Sequence, residues 1–112
     1  MTDTITAIDR ATFEAKLAEF IPALDKFVGD YFAKSYTSLK APIHTIERGQ
    51  KYIRIVTDNH SQRSVYCFLD FQGNIYKSES WKKPAKHIRG SIFDDTFSLG
   101  KSLNTYGAVY LR

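Results

Sequence analysis

The sequence predicts a single α+β domain spanning residues 1–112: an N-terminal amphipathic helix, kinked at Pro22, packed on an antiparallel meander sheet of about four to five strands. Three observations point there. Apolar residues recur with a period near 3.6 early in the chain and with a period of 2 from residue 43 onward. Turn-forming residues cut the second region into short segments. The length is enough to bury one core without disulfides or metal, and too short for two independent domains.

Phe13, Leu17, Phe20, Ile21, Leu24, Phe27, Val28, Tyr31 and Phe32 fall at offsets of three, four and seven, which at about 100° per residue gathers them on one stripe. Asp9 or Thr12 is expected to cap the helix by accepting free backbone N–H groups, and Glu14 suits the positive end of its dipole, so the helix begins near residue 10. Pro22 lacks an N–H and its ring crowds the carbonyl of Ala18; because the stripe keeps its phase across it, a kink is expected rather than a break. Residues 35–42 read as the connection to the sheet, where Pro42 turns Ala41 away from helical geometry.

Strands are expected at Ile43 to Arg48, Lys51 to Thr57, Ser64 to Asp70 and Asn74 to Ser78. Gly49-Gln50 fits a tight hairpin turn, Asp58 to Gln62 a polar loop, and Phe71-Gln72-Gly73 a turn with a permissive glycine. Alternation puts Ile53, Ile55, Val65, Cys67 and Leu69 on one face, and Tyr52, Arg54, Val56, Tyr66 and Phe68 on the other. The aliphatic face should receive the helix. The second face should be covered by the C-terminal segment, whose Ile92, Phe93, Phe97, Leu99 and Leu103 also need burial; left exposed, it would present aromatic and basic groups on a flat sheet, as RNA-binding sheets do. After Trp81, Lys82-Lys83-Pro84 ends regular structure and Pro84 to Ile92 reads as a short helical turn closed by Gly90. Asp94 to Asn104 reads as loop, and Gly107 to Leu111 as a terminal strand that closes the domain's own sheet or pairs with a second copy in a homodimer.

Cys67 is the only cysteine, so an internal disulfide is impossible and a reducing, cytoplasmic setting is expected. The first residues carry Asp3 and no basic run, and no apolar stretch approaches the ~18 residues of a membrane span, which argues against secretion and membrane insertion. Charge is uneven. Residues 1–35 hold four Lys/Arg against six Asp/Glu, residues 36–112 twelve against six, so the basic character belongs to the second half.

The densest cluster is Ile75 to Gly90, where Lys77, Lys82, Lys83, Lys86 and Arg89 face a single acid, Glu79, with Tyr76, Trp81 and His87 interleaved. Cations neutralise phosphates and release counterions while flat rings stack on unpaired bases, so this mixture suits single-stranded or non-specific nucleic-acid binding. The competing reading is a solubilising loop with Trp81 as a core anchor. The exposed-sheet signature of RNA-recognition domains, with its paired aromatics and glycines, is absent.

Other chemistry finds little support. Gly100-Lys101-Ser102 resembles the end of a phosphate-binding loop, but Asp95 stands where that loop needs its first glycine. His44, His60 and His87 lie far apart, without metal-ligand spacing. A Cys67–His44 nucleophile is disfavoured because an apolar strand opposes the thiolate. Asp94-Asp95 fits a solvated loop better than a cation site. No catalytic set and no cofactor are expected; a cleft joining His87, Asp94 and Lys86 would reverse that.

The run from Ser80 through Trp81-Lys82-Lys83-Pro84-Ala85-Lys86-His87-Ile88-Arg89-Gly90-Ser91 to Ile92, followed by Tyr106-Gly107-Ala108-Val109-Tyr110-Leu111, resembles small uncharacterised proteins of tailed bacteriophages. The resemblance covers roughly the C-terminal half and carries no functional residues with it. It implies a viral setting, hence roles such as binding nucleic acid, associating with the virion, or inhibiting a host factor. The expected function is therefore a small basic nucleic-acid-binding accessory protein, not an enzyme, with a protein-interaction module that modulates a host factor as the alternative.

Overall fold

The computed structural model describes residues 9–35, 40–59, 62–94, 96–101, 103–104 and 107–108. Asp9 opens the helix: its Oδ1 accepts the Thr12 backbone N–H at 2.8 Å and its carbonyl accepts that of Phe13 at 3.1 Å. Of the two candidate caps, Asp9 holds the position and Thr12 lies in the first turn. Helix α1 then runs unbroken from Arg10–Ser35 through Pro22. Both Pro22 and Ala18 are exposed, so the carbonyl that proline leaves unbonded lies on the solvent side, where water can satisfy it. Phe13, Leu17, Phe20, Leu24 and Val28 form the buried stripe.

The sheet is a five-stranded antiparallel meander, β1 (Ile43–Arg48), β2 (Ile53–Asp58), β3 (Arg63–Leu69), β4 (Asn74–Ser78) and β5 (Pro84–Ser91), with strands adjacent in chain order. A two-stranded ribbon, β6 (Leu103–Asn104) and β7 (Gly107–Ala108), completes the described structure. The turn after β3 is built by Asp70, whose Oδ1 accepts the N–H groups of Gln72 and Asn74 at 2.9 and 3.0 Å, while Gly73 adopts φ +86°. A side chain there would strike Phe93 at 2.6 Å, so conformation and packing both demand glycine.

The helix packs on the aliphatic face. Phe13, Leu17, Phe20, Leu24 and Val28 form one buried cluster with Ile53, Ile55, Tyr66, Cys67, Leu69, Ile75, Ile92 and Leu103. One ion pair and one hydrogen bond stitch the layers: Arg48 donates to both carboxylate oxygens of Glu14 at 2.7 and 2.8 Å, and His44 Nδ1 lies 2.7 Å from Asp25 Oδ1.

Three expectations need correction. Pro84 to Ile92 is not a helical turn. Pro84–Ser91 is edge strand β5, paired with β4 through two register shifts; its apolar content is too sparse for a helix to bury, while β4 offers a partner for its backbone. Secondly, Tyr66 and Val65 do not sit on the predicted faces. Ile55 pairs with Cys67 and Val56 with Val65, so a bulge inserts Tyr66 as an extra residue. Below it the alternation reverses, bringing Tyr66 into the helix-side core. Thirdly, the described C-terminal segment does not cover the second face. Ile92 and Leu103 belong to the helix-side cluster, with Phe93, Phe97 and Leu99 packed against it, and Phe97 lies 6.0 Å from Phe20. Of the predicted terminal strand, Gly107–Ala108 is a strand and residues 109–111 lie outside the described residues.

Candidate nucleic-acid interface

All eight residues singled out in the sequence lie on one β-hairpin, because the stretch read as loop and helical turn is a strand. Tyr76 and Lys77 are on β4, Trp81, Lys82 and Lys83 in the connection, and Lys86, His87 and Arg89 on β5. Lys82, Lys83, Lys86 and His87 are exposed, while Tyr76, Lys77 and Arg89 are half-buried. Lys83 lies 3.8 Å from Glu79, a long, exposed ion pair that contributes little.

The hairpin folds back over the second sheet face. Beyond Phe68–Tyr76 and Leu69–Ile75, β4 no longer pairs with β3, and its far end carries the connection across the sheet. Arg54 Nη1 donates to the Trp81 carbonyl at 2.9 Å, and the guanidinium carbon stands 4.7 Å from the centre of the Trp81 ring system. Arg63 lies 5.6 Å from the same ring. The indole remains 38% exposed, so it is a surface group held by two cations and not a core anchor.

Glu47 fixes both arginines. Its Oε1 accepts from Arg54 Nε and Nη2 at 3.0 and 2.6 Å, and its Oε2 accepts from Arg63 Nη2. The hydrogen bonds from Arg63 and Arg54 hold the Glu47 carboxyl below its ordinary range. Under this ionic roof the face is aromatic. Tyr52 contacts Phe68 at 6.4 Å and Tyr76 at 5.6 Å, both edge to face. Burial, with a hydrogen bond to Asp70, pushes the Tyr76 phenol up to about 12, so the ring stays neutral. By register, Glu47, Arg54, Phe68, Tyr76 and Ile88 form one row across all five strands.

Between the β1–β2 turn and the β4–β5 connection lies a pocket of about 240 Å³, lined by Glu47, Arg48, Gly49, Gln50, Lys51, Tyr52, Arg54, Phe68 and Lys82. The turn that forms its rim closes through a Gly49 N–H to Tyr52 carbonyl bond of 2.9 Å.

Sequence reasoning had Tyr52, Arg54 and Phe68 on this face but missed Glu47, Lys51 and Arg63. A signal for Glu47 existed: a short turn at Gly49 pairs residue 47 with residue 54, placing opposite charges directly across the hairpin. Arg63 had none, since its position depends on the bulge in β3.

The remaining candidates separate. Lys101 of the Gly-Lys-Ser run pairs with Asp94 at 3.1 Å, so that lysine is tied to its own loop; Ser102, Asp95 and His60 lie outside the described residues. Asp94 belongs to that pair, whereas His87 and Lys86 are exposed on β5. Cys67 is fully buried, which pushes its thiol up, and His44 is paired with Asp25. Among the described residues no group of three or more His, Cys, Asp or Glu side chains could hold a metal ion, and no helix is long and apolar enough to cross a membrane.

No curated protein and no solved structure matches the chain. Residues 7–102, covering the helix, the five-stranded sheet and the hairpin, match the family of unknown function DUF7717, and the chain belongs to that family.

Proposed function

We propose that this chain is a non-enzymatic accessory protein that binds single-stranded or non-specific nucleic acid on the β4–β5 hairpin. Lys82, Lys83, Lys86 and Arg89 contact phosphates, Trp81 and Tyr76 stack on bases, and Lys77 and His87 extend the surface. The observation that carries this reading is the partly exposed Trp81 ring at the hairpin tip, next in sequence to two exposed lysines and backed by Arg54 and Arg63. Stacking on a pre-positioned ring costs little ordering entropy, and neighbouring cations supply the counterion-release term. The resemblance to tailed-phage proteins supports a viral setting, with action in the host cytoplasm.

The test is fluorescence anisotropy of labelled single-stranded DNA, single-stranded RNA and duplex against the full chain over a salt series. Binding should weaken steeply with salt, and Lys82→Ala and Lys86→Ala should each reduce the log–log salt slope by about 1. Trp81→Ala should cost about 1–3 kcal/mol. Absence of binding to all three probes at low salt overturns the proposal.

A second reading, docking of a protein partner or second copy along β5, is favoured by Ile88, which is 51% exposed on an edge strand. A stoichiometric protein complex that survives both nuclease and high salt would replace the first reading with this one.

A further inference from the structure

The β4–β5 hairpin explains phosphate contact along one edge but leaves the pocket across the sheet without a role. We propose that this pocket is a subsite for one unpaired nucleobase and its phosphate, with Lys51 and Lys82 gripping the phosphate and Tyr52 receiving the base. This deepens the proposed nucleic-acid function and rests on it.

Four features carry the assignment. The volume of about 240 Å³ lies between two structural walls, the β1–β2 turn and the back-folded hairpin. The cations of the pocket divide into two kinds. Arg48 and Arg54 are held by Glu14 and Glu47, whereas Lys51 and Lys82 are exposed and have no partner among the described residues. Two uncommitted ammonium groups on opposite walls are suited to an anion that arrives from outside. The floor is aromatic: Phe68 is buried at 3% exposure, and the half-buried Tyr52 ring stands edge to face against it at 6.4 Å. Glu47 and Gln50, also in the lining, offer acceptors and an amide for a base edge.

Chemistry narrows the ligand. A bare phosphate would leave the ring floor unused, and an apolar ligand would leave two lysines facing it. A base with its phosphate satisfies both. The pocket also lies on the face that Trp81 roofs, so a strand crossing from the hairpin tip reaches it without leaving the surface.

The experiment compares wild type, Lys51→Ala, and Lys34→Ala as a distant exposed helix cation, each binding a labelled oligothymidylate and an abasic phosphodiester of equal length. Wild type should prefer the base-bearing strand. Lys51→Ala should lower the salt slope for oligothymidylate by about 1, and Tyr52→Leu should erase the preference over the abasic strand, while Lys34→Ala leaves both unchanged. If wild type binds neither strand, the nucleic-acid function itself falls. If wild type binds but Lys51→Ala behaves as Lys34→Ala does, or no preference for bases exists, the subsite is overturned and the hairpin function stands. Circular dichroism of Tyr52→Leu separates loss of fold from loss of preference, and Gln50→Ala, at an exposed turn position, should weaken the base preference without touching the aromatic floor.

Discussion

Arg54 holds Trp81 twice, donating a hydrogen bond of 2.9 Å to its carbonyl and placing its guanidinium carbon 4.7 Å from the centre of its ring system. One side chain from the sheet thus fixes both the backbone and the ring of the hairpin tip, and Glu47 fixes that side chain in turn. In the proposed nucleic-acid binding a mobile surface tryptophan would have to be ordered each time; this one is ordered in advance.

Arg54→Ala should therefore release the tip. The loss of charge-assisted hydrogen bonds to Glu47 and to the Trp81 carbonyl is expected to cost about 1–3 kcal/mol, at the lower end because the group is partly exposed. Urea denaturation measures the cost. Trp81 is the only tryptophan, so a red shift of its emission in the folded protein reads the release directly. Unchanged emission would mean that Arg54 does not position the ring.

Stability should fall in two steps as pH is lowered. The His44 side chain is fully buried, with Nε2 lacking a hydrogen-bond partner among the described residues, and Asp25 and the Tyr66 ring face it. Burial holds the imidazole below its ordinary 6.5, against the upward pull of Asp25. Below about that pH the unfolded chain binds a proton that the native state resists, so stability rises with pH in this window and drains as pH falls. Glu14 and Glu47 are held below their ordinary 4.5 by their arginine partners. They contribute stability above that value and lose it as pH falls through their native range. Urea midpoints at pH 7, 5.5 and 4 should show both losses in the wild type and only the second in His44→Phe.

Pro22→Ala should stabilise the protein. It restores an N–H to the carbonyl of Ala18 within a continuous helix, and the solvent position leaves no cavity. The helix gain of about 3 kcal/mol is offset by the greater freedom of the unfolded chain, leaving roughly 2 kcal/mol. A thermal midpoint at or below that of the wild type would contradict this.

Two glycine substitutions should act with opposite sign. Gly107 has φ +134°, and a methyl group there would lie 2.6 Å from the Tyr66 carbonyl oxygen, backbone that cannot move aside cheaply. Gly107→Ala is expected to cost about 1–3 kcal/mol and to loosen the β6–β7 ribbon, including the bond from the Tyr66 hydroxyl to the Asn104 carbonyl. Gly29 lies within the helix, where an added Cβ would meet no other group within 4 Å, so Gly29→Ala should stabilise by about 0.5–1 kcal/mol. Equilibrium denaturation of both variants checks the signs.

Local pattern carried most of the architecture. The 3.6-residue stripe from Phe13 to Phe32, capped at Asp9, specified the helix, because such spacing leaves only one way to bury the rings. Alternation and turn residues specified four strands to within a few residues, because period 2 and a glycine turn leave few registers open. The fifth strand was illegible. Pro84 to Ser91 has neither alternation nor β-rich composition, and it is a strand because β4 presents unpaired backbone beside it.

By itself, then, the amino-acid order determined the layers, the face that meets the helix, and the concentration of cations and rings in residues 75–90. Only the tertiary structure decided where those groups point. The bulge at Tyr66 reversed one strand's faces, the C-terminal segment went to the helix side, and the parting of β4 from β3 let the hairpin bend back to join Trp81 with Arg54, Arg63 and Glu47. The physical reason is range: helix stripes and strand alternation are set by neighbours along the chain, whereas a bulge, an edge pairing and a ring held near two arginines depend on contacts between residues distant in sequence, whose geometry no local spacing encodes.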